Sequence, residues 1–155
     1  MLSYLVEFLR NRSKQRRALL LSKVNSLKNQ YIPVPAGKVC FVVKAGYRLA
    51  LKKRPWLIKL PIDEMLSWVS QEDYQRMEQE PPSVSDLPVL AGWTYDGKYK
   101  LLDGHHRAIA AKKNGQSYIK GYVLTEEEFA SCCFHTTDFS WVINQATGEP
   151  MNVGI

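Results

Sequence analysis

Cysteine and histidine are both scarce in this sequence. Cysteine occurs three times, at Cys40, Cys132 and Cys133, without the CxxC pairs of a zinc site or the even set of a disulfide framework. We therefore expect reduced thiols, a cytoplasmic protein and no structural zinc. No apolar stretch approaches the roughly 20 residues that a membrane-spanning helix needs. The first apolar residues precede their basic neighbours, which is the reverse of a secretory signal.

Length and charge set broad limits on the fold and the partners. A chain of 155 residues is long enough for one domain with a buried core. The apolar share of 45% and the charged share of 23% exclude disorder across the whole chain. The net charge of +6 favours polyanionic partners, although well-solvated lysines would explain it equally well.

The first 30 residues predict a basic helical arm. Apolar residues recur at helical spacing in two stripes, which are Leu2, Leu5, Val6 and Leu9, and then Leu20, Val24 and Leu27. Five basic residues lie between the stripes: Arg10, Arg12, Lys14, Arg16 and Arg17. We expect this arm to touch nucleic acid, DNA above all, or anionic lipid. The alternative is a helix that packs on the domain and leaves a solvated basic face.

Residues 31–155 predict one α+β domain with a mixed sheet and flanking helices. The predicted elements are a linker at 31–39, a strand or hairpin around Gly46, a strand at 56–62, a helix over 63–80, a strand at 116–124 and a last strand in the tail. The Asp96-Gly97 pair between two apolar runs predicts a hairpin with a type I′ turn. Thr125 and Glu128 have the spacing of a capping box.

The stretch LLDGHHRAIAAKKNG, residues 101–115, holds the strongest chemical signal. Asp103 and Gly104 lie between a predicted strand and a predicted helix, and Gly115 is placed to end that helix. Free amides at a helix start bind phosphate, and a glycine removes the side chain that would block the approach. Arg107 offers a donor fork to phosphate oxygens.

The other motif residues extend that chemistry. His105 and His106 titrate near neutral pH, so each can donate to phosphate or transfer a proton. Asp103 is a hard oxygen ligand that can hold Mg²⁺ or orient a histidine. Alternatively, Asp103 only caps the helix, one histidine belongs to the core, and Arg107 forms a surface ion pair.

The order of hairpin, DGHHR, alanine-rich helix and strand, with LIKLPIDEM upstream, resembles the ParB/sulfiredoxin superfamily. The resemblance covers residues 56–125. It implies that residues 104–107 bind a nucleotide, ATP or CTP, with Mg²⁺. Sulfiredoxins carry cysteine where this chain has His105, so the resemblance does not extend to their redox chemistry. Partition proteins carry further domains after this motif, and the sequence pattern of this chain does not indicate them.

The resemblance to the free-serine kinase branch also implies a carboxylate that serves as general base. Asp63, Glu64 and Glu72 are the candidates, and Glu64 is our prediction for the base or for a second ligand of the metal held by Asp103. Glu72 is better explained as an acid at a helix start.

Together these residues predict Mg²⁺-dependent phosphoryl transfer or hydrolysis. Gly104, His105, His106 and Arg107 would bind phosphate, and His106 or His105 would transfer a proton. The resemblance implies that the protein is an NTPase or a DNA nuclease that acts in plasmid or phage DNA processing. A small-molecule kinase and a non-catalytic nucleotide-sensing, DNA-binding module remain alternatives.

Overall fold

The computed structural model describes residues 2–27, 30–34, 39–54, 56–80, 86–93, 96–135, 142–143 and 150–151. Within that part of the chain the elements follow in this order: α1 (Leu2–Asn25), β1 (Tyr31–Val34), β2 (Val39–Val42), α2 (Val43–Lys53), β3 (Ile58–Pro61), α3 (Ile62–Leu66), α4 (Gln71–Gln79), β4 (Val89–Trp93), β5 (Tyr99–Asp103), α5 (His105–Lys113), β6 (Tyr118–Leu124), α6 (Glu126–Ser131), β7 (Cys133–His135), β8 (Val142–Ile143) and β9 (Pro150–Met151).

A four-stranded mixed sheet in the order β3-β6-β4-β5 lies at the centre. β3 and β5 each run antiparallel to their neighbours, β6 and β4, whereas β4 and β6 are parallel. A second sheet, β1-β2-β7, is antiparallel throughout, and β8 pairs with β9. The predicted α+β class with a mixed sheet and flanking helices is confirmed at this level.

The central sheet is buried on both faces because its side chains alternate between two cores. Leu90, Leu102 and Leu124 face a core shared with α2 and the end of α1. Val89 and Leu101 face a second core shared with α3 and α5. Helices therefore cover both sides of the sheet, and α5 is held against the face that its own core residues line.

The helix α1 is continuous, and only its end joins the domain. Val24 is fully buried in the first core, and Lys23 Nζ lies 2.6 Å from Asp86 Oδ2. Residues 2–19 are exposed. The predicted boundary at residue 30 stays a prediction, but the second apolar stripe does dock on the domain while the first does not.

The segment around Gly46 is helical, so the prediction of a strand or hairpin there is wrong. β2 ends at Val42, and α2 then buries Val43, Tyr47 and Ala50 at spacings of three and four residues. A Cβ on Gly46 would lie 2.7 Å from Phe41 Cζ, so this glycine allows close packing rather than a turn. The β-branched run ends at Val43, and the residues that follow include the strong helix formers alanine, leucine, arginine and lysine.

Three other local predictions need correction. Residues 31–34 and the start of β2 pair as strands instead of forming a plain linker. The helix predicted over 63–80 is two helices, because the Ser70 side chain accepts a hydrogen bond from the Asp73 amide at 3.1 Å and starts α4. The β4-β5 hairpin is confirmed, but Gly97 alone among its described turn residues has a positive φ, and a type I′ turn needs two such residues.

Two helix ends agree with their sequence signals. Gly115 has a φ of 81°, its amide donates to the Lys112 carbonyl at 3.0 Å, and Gln116 donates to Ala111 at 3.0 Å, which closes α5 as a Schellman motif. Thr125 and Glu128 form the predicted capping box at the start of α6. The strand at 116–124 is confirmed as β6. Most of the tail lies outside the described residues.

Candidate functional site

The DGHHR stretch is a strand-to-helix turn, as predicted. β5 ends at Asp103, Gly104 has a φ of 102° and α5 begins at His105. The first helical hydrogen bond joins the Ala108 amide to the Gly104 carbonyl at 3.0 Å. The three preceding amides, those of residues 105–107, thus have no partner inside the helix.

Gly104 is required on the inner side of the turn. An added Cβ would lie 2.6 Å from Val89 Cγ1 and 3.0 Å from Arg107 Nη2. Its positive φ is itself unfavourable for any residue with a Cβ. From the sequence we expected Gly104 to leave room for the approach of a phosphate. The structure shows a different reason for the glycine, which is contact with the strand β4.

Arg107 turns its guanidinium towards the protein. Nη1 donates to the carbonyls of Leu87 and Pro88, the latter at 3.2 Å. Nη2 donates to Asp103 Oδ2 at 3.0 Å and to the Tyr47 hydroxyl at 3.2 Å. Nε is buried and has no hydrogen-bond partner within the described ranges. Four of its donor interactions are therefore made within the fold, where they fix the segment before β4 to the turn.

Tyr47 completes this network from α2. Its hydroxyl proton is shared between Asp103 Oδ2 at 2.7 Å and the Pro88 carbonyl at 2.9 Å. The residue is 1% exposed, and burial, followed by the charge of Asp103, raises the pKa of Tyr47 well above its ordinary value. Asp103 thus orients Tyr47 and Arg107 and does not cap α5.

His106 is held by an acid that the sequence argument missed. Its Nε2 lies 2.6 Å from Glu80 Oε2, and Glu80 Oε1 accepts from Arg76 Nη1 at 3.0 Å. Arg76 also pairs with Asp73, which lies three residues before it, whereas Glu80 lies four residues after it. The signal in the sequence was this row of alternating charges on one face of α4, which the structure places against α5.

His105 differs from its neighbour. Burial lowers the pKa of His105, with the Asp103 charge acting in the opposite direction. Within the part of the chain that the structure describes, its imidazole forms no hydrogen bond or ion pair. His105 is therefore neutral at physiological pH, and neither ring nitrogen has a partner among the described residues.

Glu64 lies away from the motif. Its Oε2 accepts from the amide of Tyr99, the first residue of β5, at 3.4 Å. Asp103 is the last residue of that strand, and four residues of strand span roughly 13 Å. Asp63 also lies away from the motif, because it pairs with Lys112 at 2.9 Å near the end of α5. The two carboxylates predicted to share a metal are not brought together.

The residues present do not fit a magnesium ion held by the protein. Asp103 Oδ2 is paired with Arg107, whose positive charge opposes a cation at the same carboxylate. Among the described residues there is no group of three or more histidine, cysteine or acidic side chains that would hold a metal. A Mg²⁺ ion that arrives bound to the phosphates of a nucleotide is a different case, because it needs only one or two carboxylate ligands from the protein.

The predicted arm residues stand apart from this turn. Arg10, Arg12, Lys14, Arg16 and Arg17 all lie on the exposed part of α1. The charges of Arg16 and Arg17 lower the pKa of Tyr122, although its burial raises that pKa more strongly. These two basic residues therefore lie near the central sheet.

The cysteines take no part in the site. All three are free thiols, and burial raises the pKa of each one. A raised pKa keeps the thiol protonated and unreactive.

No protein-family model, no curated protein and no solved structure matches the chain. In the portion of the chain that is described, none of the helices has the length and apolar content to cross a bilayer.

Proposed function

We propose that the start of α5 binds a phosphate group of a nucleotide, ATP or CTP, or of a phosphodiester, and that His106 assists its hydrolysis. The observation that carries the proposal is the pairing of His106 with Glu80 at 2.6 Å, beside helix-start amides that have no intrahelical partner. We further propose membership of the ParB/sulfiredoxin superfamily. The succession of β3, helix, β4-β5 hairpin, α5 and β6 supports it.

The amides and the histidines have complementary roles in binding. The amides of residues 105–107 and the helix dipole favour an anion at this end of α5. His105 is neutral and has no partner among the residues that the structure describes, so it can donate one N–H to a phosphate oxygen. Arg107 acts indirectly, because its donors hold the turn in place rather than point to solvent.

The proton transfer follows from the orientation of His106. When Nε2–H donates to Glu80, Nδ1 is unprotonated and can accept a proton from water. The water oxygen then bonds to phosphorus while the bond from phosphorus to the leaving oxygen breaks. The electron pair leaves on the nucleoside diphosphate, or on the alcohol oxygen of a diester. The Glu80 carboxylate stabilises the imidazolium until solvent takes the proton.

Binding without turnover is the second candidate function. Arginine usually supplies the positive charge that stabilises a transferring phosphoryl group, but Arg107 is committed to carbonyl oxygens and to Asp103. That observation favours a module that senses a nucleotide. A kinase that relies on Glu64 as base has no support from the geometry, since Glu64 contacts the far end of β5.

Isothermal titration calorimetry with phosphate, ATP and CTP, each with and without Mg²⁺, tests binding, and phosphate release tests turnover. The variants are His105→Gln and His106→Gln. His135→Gln on β7, in the other sheet, is the matched control. We expect weakened binding in the first variant and slowed release in the second, with the control unchanged. If no anion binds the wild-type protein, the proposal is wrong. Binding with no release selects the second candidate.

A further inference from the structure

We propose that the N-terminal part of α1, residues 2–17, binds the surface of a bilayer that contains anionic lipid. Two adjacent regions carry the proposal: residues 2–9, called the apolar segment, and residues 10–17, called the basic belt. Neither region belongs to the DGHHR turn, so this inference is independent of the proposed hydrolysis.

The apolar segment is exposed over most of its surface. Six of its eight residues are apolar or aromatic, with these exposed fractions: Leu2 81%, Tyr4 80%, Leu5 57%, Val6 42%, Phe8 61% and Leu9 53%. At 100° per residue they cover roughly 200° of the helix circumference. Contiguous apolar surface of this kind marks an interaction site on a folded protein.

The basic belt follows directly. It contains five basic residues and no acid, and every residue in it is exposed. None of the five forms an ion pair with a residue in the described ranges. The only acid before it is Glu7. The belt is thus a concentrated positive charge, about 12 Å long, that is not paired with any acid in the described part of the chain.

An anionic bilayer satisfies both regions at once. Leucine and aromatic side chains enter the boundary between headgroups and acyl chains, as in interfacial helices. Lysine and arginine keep their charges among anionic headgroups while their apolar stems lie deeper. An anionic lipid surface is therefore the partner that complements the charge of the belt and also removes the apolar segment from water.

A nucleic acid and a second copy of this chain are the two other candidate partners. Each of them would complement only one of the two regions. A nucleic acid would neutralise the belt but leave residues 2–9 in water. Pairing of two α1 helices along their whole length would bring two basic belts together, and their like charges would repel. Pairing through residues 2–9 alone would limit the contact to about two helical turns, roughly 12 Å, which is too short for a stable interface.

Vesicle co-sedimentation of the full chain provides the test. The probes are vesicles of phosphatidylcholine alone, and of phosphatidylcholine mixed with phosphatidylglycerol. We expect binding to the mixed vesicles and little to the neutral ones. Leu5→Gln/Leu9→Gln should reduce the partition coefficient at least about tenfold, and Arg12→Gln/Lys14→Gln should reduce it roughly 30-fold.

Matched controls place the effect on these residues. Lys52→Gln/Lys53→Gln removes the same charge from exposed positions on α2, and Leu19→Gln/Leu21→Gln removes exposed leucines beyond the belt. Both should bind like wild type, and an equal loss in either control would overturn the assignment to residues 2–17.

Two further measurements test the competing partners, a nucleic acid and a second copy of the chain. One is binding of a labelled DNA duplex, and the other is analytical ultracentrifugation. Failure to bind mixed vesicles overturns the proposal. In that case, DNA binding that needs the belt but not Leu5 and Leu9 identifies a nucleic acid, and a dimer that the leucine variant dissociates identifies a second copy.

Discussion

The Tyr47 hydroxyl lies 2.7 Å from Asp103 Oδ2, which joins α2 to the last residue of β5 across the first core. Arg107 Nη2 contacts both groups. The DGHHR turn is therefore built around a buried polar network whose members come from three elements. Removing any one member takes away at least one hydrogen bond from the groups that remain, in a largely buried place.

Tyr47→Phe should lower the free energy of unfolding by about 1–3 kcal/mol, because the Asp103 carboxylate and the Pro88 carbonyl lose a donor. Urea denaturation measures the change. Tyr118→Phe is the control, since that tyrosine is 56% exposed and its hydroxyl is free to bond with water. Equal stability of the Tyr47 variant and wild type would show that the network contributes nothing.

Arg107→Ala should cost at most about 3–5 kcal/mol, the loss expected on removing one partner of a fully buried ion pair, since these side chains are 14% and 21% exposed. Arg76→Ala, at a pair in which arginine is 52% exposed, should cost at most about 1 kcal/mol. Chemical denaturation of both variants gives the comparison. A cost for Arg107→Ala no larger than for Arg76→Ala would mean that its inward contacts are unimportant.

Gly104→Ala tests whether the turn needs a glycine because of its close contact with β4. Strain from the positive φ and the clash with Val89 should together cost about 2–5 kcal/mol. Gly97→Ala shares the positive φ but has no atom within 4 Å of the added Cβ, so it should cost only about 1–2 kcal/mol. The difference in melting temperature between the two variants measures the clash. No difference would place the whole cost in the backbone.

The sequence allowed several of these features to be predicted because their causes are local. The end of α5 follows from Gly115, and the start of α6 follows from the spacing of Thr125 and Glu128. The strand-to-helix turn at DGHHR was also visible, since Gly104 separates a β-type run from an alanine-rich one.

The features that sequence reasoning missed depend on distant partners. Glu80 is 26 residues from His106, and only the packing of α4 on α5 brings the two together. The direction of Arg107 depends on carbonyl groups 19 and 20 residues away. Residues 43–53 form a helix whose apolar face completes the first core, and this helix was missed although Val43, Tyr47 and Ala50 have helical spacing.

His105 gives stability a pH dependence of known sign. Burial lowers its pKa below the ordinary value of 6.5, so the unfolded chain binds a proton more readily than the folded one. The stability associated with neutral His105 is complete above about pH 6.5 and is lost as the pH falls from there through the folded pKa.

His105→Gln should flatten this dependence. Urea unfolding at intervals between about pH 5 and about pH 8 compares the variant with wild type. The difference between the two profiles measures the contribution of His105. Parallel profiles for wild type and His105→Gln would contradict the inferred burial.

Glu80→Gln should disturb His106 without unfolding the domain, because both side chains are about one-third exposed. The carboxylate fixes the proton on Nε2, and an amide can either donate or accept, so the imidazole should populate both tautomers. Nitrogen NMR shifts of His106 report this change directly. In the hydrolysis assay, turnover should fall about tenfold to a hundredfold with little change in KM.

The control is Glu78→Gln on the same helix, where the Glu78 carboxylate lies 3.6 Å from Lys113. This variant should alter neither the tautomer of His106 nor the turnover. A single unchanged tautomer in Glu80→Gln would show that this carboxylate does not orient His106, whereas a changed tautomer with unaltered turnover would remove His106 from the proton transfer.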